Sequence, residues 1–126
     1  MAGTPSSRLS LGRSSRLKQR VEFARAKAEG RRLVCGCLIA NVLPRAPGQP
    51  SRLGVVTSKK MVGGAVARSR ARRLMRECFR LHQRELARPV DLVLVARPSI
   101  AGKKLADVEM DLMRVLRQAR LDLLGQ

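Results

Sequence analysis

The sequence predicts an α+β fold in a single domain. Its predicted elements run α-β-β-α-β-α, with a small mixed sheet packed by helices. Three observations carry this. The chain is short, at 126 residues, and 44% hydrophobic, which suits one core. Short apolar runs bounded by Pro and Gly read as strands. Two long segments repeat their apolar residues at helical spacing.

Residues 1–15 are expected to form a flexible basic tail, and residues 16–124 the folded domain. Residues 1–20 are rich in Arg and Ser and lack acids, a composition that mimics a transit peptide. Residues 16–29 read as the first helix. Leu17, Val21, Ala24 and Ala28 would form its apolar stripe, and Gly30 would stop it.

Residues 33–43 read as one β-strand ended by Pro44, followed by a loop with three prolines. Residues 53–57 form a short apolar strand. The two strands are expected to pair as an antiparallel hairpin.

Residues 64–86 read as the second helix. Ala67, Ala71, Leu74, Cys78 and Leu81 would be its buried stripe. Arg68, Arg72, Arg76 and Arg80 recur every four residues beside that stripe, and Arg70, Arg73 and Arg84 widen the cationic surface. Residues 90–96 read as a strand closed by Pro98. Residues 105–124 form the third helix, with Leu105, Val108, Leu112, Val115 and Ala119 facing the core. Its acids come early and its arginines late, which suits the helix dipole. A β-α-β crossover through the second helix would join residues 53–57 to 90–96.

Charge narrows the function. Lys and Arg number 27 against 9 acids, a net +18. Residues 1–32 hold 9 basic and 2 acidic residues, and residues 52–88 hold 11 and 2. Solubility needs far less charge than this. Like charges at i, i+4 oppose helix formation by a few tenths of a kcal/mol per pair. An anionic partner reverses that cost, and nucleic-acid phosphate matches the charge density. Charge alone does not separate DNA from RNA. With only Phe23 and Phe79 as aromatics, the chain lacks the platforms of a base-stacking binder.

Ser58-Lys59-Lys60 precedes Gly63-Gly64 and the start of the second helix, where backbone N–H groups and lysines suit a phosphate. The spacing is not that of a P-loop. Cys35 and Cys37, read as facing one way on a strand, could combine with Cys78 and His82 as a zinc site. Core cysteines and a surface histidine are the favoured reading. Asp107, Glu109 and Asp111 fan across a helix and make a poor Mg²⁺ chelate. The odd cysteine count fits a reducing cytosol and a cytoplasmic protein. No paired carboxylates or Ser-His-Asp set is evident, so the polypeptide alone looks unlike a hydrolase.

Taken together, the central residues resemble the protein subunit of bacterial ribonuclease P. The pattern is Leu53-Gly54-Val55-Val56-Thr57-Ser58-Lys59-Lys60, then Gly63-Gly64-Ala65-Val66, then Arg68-Ser69-Arg70-Ala71-Arg72-Arg73-Leu74-Met75-Arg76-Glu77. Arg16-Leu17-Lys18, Glu22-Phe23 and the run from Asp91 to Pro98 extend the resemblance over residues 16–121.

The resemblance implies a basic protein that binds a catalytic RNA subunit. That RNA cleaves the 5′ leader from precursor tRNA with Mg²⁺, so the holoenzyme is an endonuclease whose catalytic centre lies outside this chain. It implies one protein per RNA and no catalytic or metal residue here. Ser58, Lys59, Lys60, Arg68, Arg70, Arg72, Arg73, Arg76 and Arg80 would face the RNA. Arg16, Lys18, Phe23, Lys27 and Asn41 would line a cleft for the leader. The implied fold is an α-β sandwich like that of some ribosomal proteins. Its β-α-β crossover would be left-handed, where general topology predicts right-handed.

The chain departs from the family pattern in four places. Ser69 stands where Asn is usual. The turn Met61-Val62-Gly63-Gly64 is one residue longer than in many relatives. Lys27 and Asn41 stand where aromatics are common, so the cleft would rely more on charge. The main alternative is a small ribosomal or ribosome-associated RNA-binding protein. A free-standing metal-dependent nuclease and a DNA-binding helix module are further readings.

Overall fold

The computed structural model describes residues 15–86 and 88–124, with side chains through residue 120. The tail expected over residues 1–15 therefore lies, apart from Ser15, outside the described residues.

Helix α1 (Arg20–Glu29) begins later than the sequence predicts. Glu22 decides where it starts. Its Oε1 accepts the backbone N–H groups of Lys18 and Gln19, both at 3.0 Å, satisfying donors at the helix entrance. Residues 16–19 are extended instead of helical. Leu17 N–H donates to Leu53 O at 2.9 Å, and Arg16 forms an isolated bridge to Leu53. The late start also corrects the predicted stripe. Leu17 is buried, but Val21 is 65% exposed, and Ala24 and Ala28 face solvent. Phe23 and Ala26 turn inward in their place.

Residues 33–43 are not one strand. They belong to β1 (Arg31–Cys35) and β2 (Leu38–Pro44), an antiparallel hairpin. Gly36 makes the turn at φ +57, a conformation glycine adopts without steric cost. The hairpin tip is tied down on two sides. Cys37 N–H donates to Asp111 Oδ2 at 2.9 Å, and the Arg97 guanidinium donates to Gly36 O at 2.8 Å.

Strand β3 (Arg52–Val56) does not pair with β2 as predicted. It lies parallel to β4 (Val90–Ala96), and β4 also pairs antiparallel with β2. The sheet order is β1-β2-β4-β3. Parallel strands need a crossover. Here it comprises the short helix α2 (Lys59–Val62), the long helix α3 (Ala65–His82) and a 3₁₀ turn at Gln83–Glu85. Helix α4 (Leu105–Leu124) follows a second 3₁₀ turn at Pro98–Ile100.

Alternation along β4 divides the interior into two layers. Val90, Leu92, Leu94 and Ala96 join the larger core with Leu38, Ala40, Val42 and Leu53, under α3 and α4. The α4 stripe of Val108, Leu112, Val115 and Ala119 is buried as predicted, with Leu105 half-buried. The α3 stripe is rotated from the prediction. Ala71, Met75, Cys78 and Phe79 are buried, whereas Ala67 is exposed and Leu81 is 38% exposed. Full burial of a side chain the size of Phe79 or Met75 contributes about 1.5–3 kcal/mol, so these residues set the helix's roll on the sheet. On the other face, Phe23 and Ala26 of α1, with Leu17 from its extended entry, cover Val93, Leu43, Val56 and Val95.

Two charged clusters fasten the helices. The Arg52 guanidinium grips Asp91 with two bonds of 2.8 Å and reaches Glu22 Oε2 at 2.6 Å. This ties α1 to the parallel edge of the sheet. His82 bonds Glu109 of α4 at 2.6 Å and also bonds Glu85. The predicted surface histidine is therefore a half-buried clasp between two helices.

Candidate nucleic-acid interface

Rolling α3 onto Ala71, Met75, Cys78 and Phe79 places Arg68, Arg72, Arg76 and Arg80 along one half-buried flank. An open groove of about 940 Å³ runs along the helix. Arg16, Ser69, Arg72, Arg73, Arg76 and Arg80 line it, with Glu77 the one acid among its lining residues.

Most of these cations lack an acidic partner. Among the described residues, Arg80 alone on this flank forms a salt bridge, to Glu77 at 2.8 Å. Arg72 is aimed by neutral groups: Thr57 Oγ1 accepts from it at 2.8 Å and Ser69 Oγ at 3.1 Å. Arg68 has its Nε buried with no acceptor. Burial first, then the Arg16 and Arg72 charges, hold the Arg76 pKa below its ordinary value. Like charges crowded this way favour an arriving anion.

The structure distributes the other predicted residues unevenly. Lys59 and Lys60 are exposed on α2, near the start of α3, and lie inside their own short helix. Ser58 is the N-cap of α2, its Oγ accepting Met61 N–H at 3.1 Å. Arg70 turns away from the flank and donates to the Lys103 carbonyl. Arg16 joins the α3 groove instead of the α1 face, because its backbone bridges β3 at the sheet edge.

The α1 face holds the remaining cleft candidates. Phe23 packs closely on Gly54 of the sheet, where an added Cβ would come within 2.4 Å of its Cε1. Asn41 points to the same face as Val93, since Ala40 and Val42 face the other core. It is 4% exposed and its Oδ1 has no partner. Lys18 and Lys27 are exposed on α1 and its entry.

Sequence reasoning gave Thr57 no role and missed the Arg52 cluster. Asp91 was the available signal for the last, as the one acid in an apolar strand. The residues weighed for metals go separate ways. Cys35 and Cys37 flank a tight turn instead of sharing a strand face. Burial first pushes the Cys37 and Cys78 thiols up to about 12. Asp107 accepts Lys104 N–H at the start of α4, Glu109 bonds His82, and Asp111 holds the hairpin tip. Among the described residues no three His, Cys, Asp or Glu side chains gather as a metal site, and no helix is long and apolar enough to cross a membrane.

Comparison with known proteins decides the family. The family model described as Ribonuclease P matches residues 11–120. The chain belongs to the ribonuclease P protein family. It is 41% identical over 108 residues to the Ribonuclease P protein component of Gluconacetobacter diazotrophicus, covering 85% of this chain and 92% of that one. It is 41% identical over 119 residues to that of Desulfovibrio desulfuricans, covering 91% and 90%. The RNase P protein from Thermotoga maritima superposes with a TM-score of 0.71 at 27% identity, over 82% of this chain and 96% of that one. The Staphylococcus aureus RNase P protein shares the fold, with a TM-score of 0.75 at 24% identity over 86% and 97%. Membership makes the chain a component of a tRNA-processing endoribonuclease assembly and implies an RNA subunit as partner.

Proposed function

We propose that this protein binds the catalytic RNA of ribonuclease P through the α3 flank and holds the 5′ leader of precursor tRNA on the α1 face. The observation that carries the reading is the run of arginines on α3 with neutral or no partners. Arg72, Arg73 and Arg76 are built to meet phosphate. Arg16 extends that surface to the β3 edge, and Lys59 and Lys60 extend it beyond the start of α3.

On the opposite sheet face, Phe23, Lys18 and Lys27 offer one ring and two cations to a single strand, with the buried Asn41 amide beneath them in the sheet. The chain's role is to bind and orient; bond cleavage belongs to the RNA. Mg²⁺ would supply charge neutralisation and activate the attacking water in the holoenzyme. Among the described residues the carboxylates do not fit as its ligands: Glu22 and Asp91 are taken by Arg52, Glu85 and Glu109 by His82, and Asp107 and Asp111 by backbone N–H groups. One protein acts with one RNA, in the cytoplasm.

The test compares precursor tRNA with mature tRNA. Adding the protein to its cognate RNA should tighten binding of the leader-bearing substrate and leave mature tRNA unchanged. It should also raise cleavage at low Mg²⁺, with no cleavage by the protein alone. Equal tightening of both substrates would remove the leader from the α1 face.

A further inference from the structure

The second half of α4 carries Arg114, Arg117 and Arg120, three residues apart and all exposed. That spacing fans them around the side of α4 away from its core stripe. Two open grooves flank this ridge, and Arg117 lines both. One, of about 430 Å³, includes Arg84, Met113 and Arg120. The other, of about 440 Å³, lies between α4 and the edge strand β1 and includes Val34 and Arg114.

Nearby acids do not neutralise this surface. Glu85 in the first groove bonds His82. Asp111 holds the Cys37 N–H and approaches Arg114 only to 3.9 Å. Arg84, Arg117 and Arg120 pair with no carboxylate among the described residues. Compensation of the α4 dipole accounts for a cation near the helix end. It does not account for Arg84, which converges from the 3₁₀ turn that follows α3.

The position matters as much as the charge. This ridge flanks β1, whereas the α3 groove reaches β3 through Arg16, and β1 and β3 are opposite edges of the sheet. We propose that the α4 ridge is a second phosphate-binding surface that grips a double-helical segment of the RNA partner, one strand in each groove. Two cationic grooves either side of a ridge match two phosphate rows across a shallow A-form minor groove. The guanidinium fork suits phosphate oxygens. No aromatic lines either groove to stack single-stranded bases. The protein would then bridge two RNA segments from opposite edges of its sheet. This inference rests on the RNA partner proposed above.

The experiment uses the full chain, a 20-base-pair RNA duplex and a single strand of the same sequence, with affinity measured across a KCl series. Replacing Arg114, Arg117 and Arg120 together by Ala should lower duplex affinity on the order of tenfold and flatten the log–log salt slope by about 3. The corresponding Lys triple variant should keep the slope. Circular dichroism checks that both are folded. A folded Ala variant with wild-type affinity and slope would overturn the proposal. So would a loss confined to the single strand. The Arg73→Ala, Arg76→Ala double variant separates this idea from the α3 reading. If it binds the RNA subunit normally while the α4 variant is impaired, the α3 assignment fails and this one stands.

Discussion

Glu22 and Arg52 join the start of α1 to the parallel edge of the sheet. One Glu22 oxygen accepts two backbone N–H groups at the helix entrance while the other receives Arg52 at 2.6 Å. A single carboxylate therefore sets where α1 begins and ties it to the sheet on which Phe23 packs. Arg52 in turn is held by Asp91, which is 6% exposed.

Glu22→Gln should lower stability by about 2 kcal/mol, from a weakened cap and a lost ion pair. Urea denaturation at pH 7 measures this. The backbone N–H groups of Gln19, then of Lys18, hold the Glu22 pKa below its ordinary 4.5, with Arg52 adding to them. A depressed carboxylate pKa stabilises fully above the unfolded value. That contribution should persist above pH 4.5 and fade as pH falls through the lower folded value. Glu22→Gln should show a shallower acid limb than the wild type.

The clasp at His82 should titrate in the opposite sense. Burial alone would lower its pKa, but hydrogen bonds to Glu109 and Glu85 outweigh this and raise it above 6.5. Its stabilisation should be complete below pH 6.5 and disappear as pH rises through the folded value. Thermal melts from pH 6 to pH 9 should show a decline that His82→Gln lacks. An identical pH profile for the two proteins would remove the clasp.

Gly54→Ala tests the α1 face. The new Cβ would sit 2.4 Å from Phe23 Cε1 and 2.7 Å from its Cζ, so the ring must move. Overpacking of this kind costs about 1–3 kcal/mol. The variant should lose affinity for leader-bearing tRNA while binding the RNA subunit as the wild type does. Fluorescence anisotropy with the two RNAs measures the difference.

Parts of this fold were legible because periodicity and local chemistry agreed. The strand Val90–Ala96 and the helix Leu105–Leu124 match their predicted bounds. The Arg-bearing flank of α3 was also legible, because a spacing of four survives any roll of the helix. Its core stripe was legible in part: Ala71 and Cys78 are buried as predicted and Leu74 packs against the core, but Ala67 and Leu81 are as apolar in sequence as Met75 and Phe79, which take their place. The β1–β2 hairpin was hidden because Cys35-Gly36-Cys37 carries no polar turn residue, and its backbone is satisfied by Arg97 and Asp111 from distant elements. The parallel partner of β3 is likewise a tertiary choice. The start of α1 depended on a carboxylate bond read only in three dimensions.

The central claim is that unpaired arginines on α3 hold the RNA subunit. The most direct measurement is the salt dependence of that affinity for the wild type and for Arg73→Ala, Arg76→Ala. Neither side chain makes a salt bridge among the described residues, and both are off the core, so the fold should be unchanged. The account predicts weaker binding and a log–log slope flatter by about 2. An unchanged affinity and slope would contradict it and take this flank out of the RNA interface.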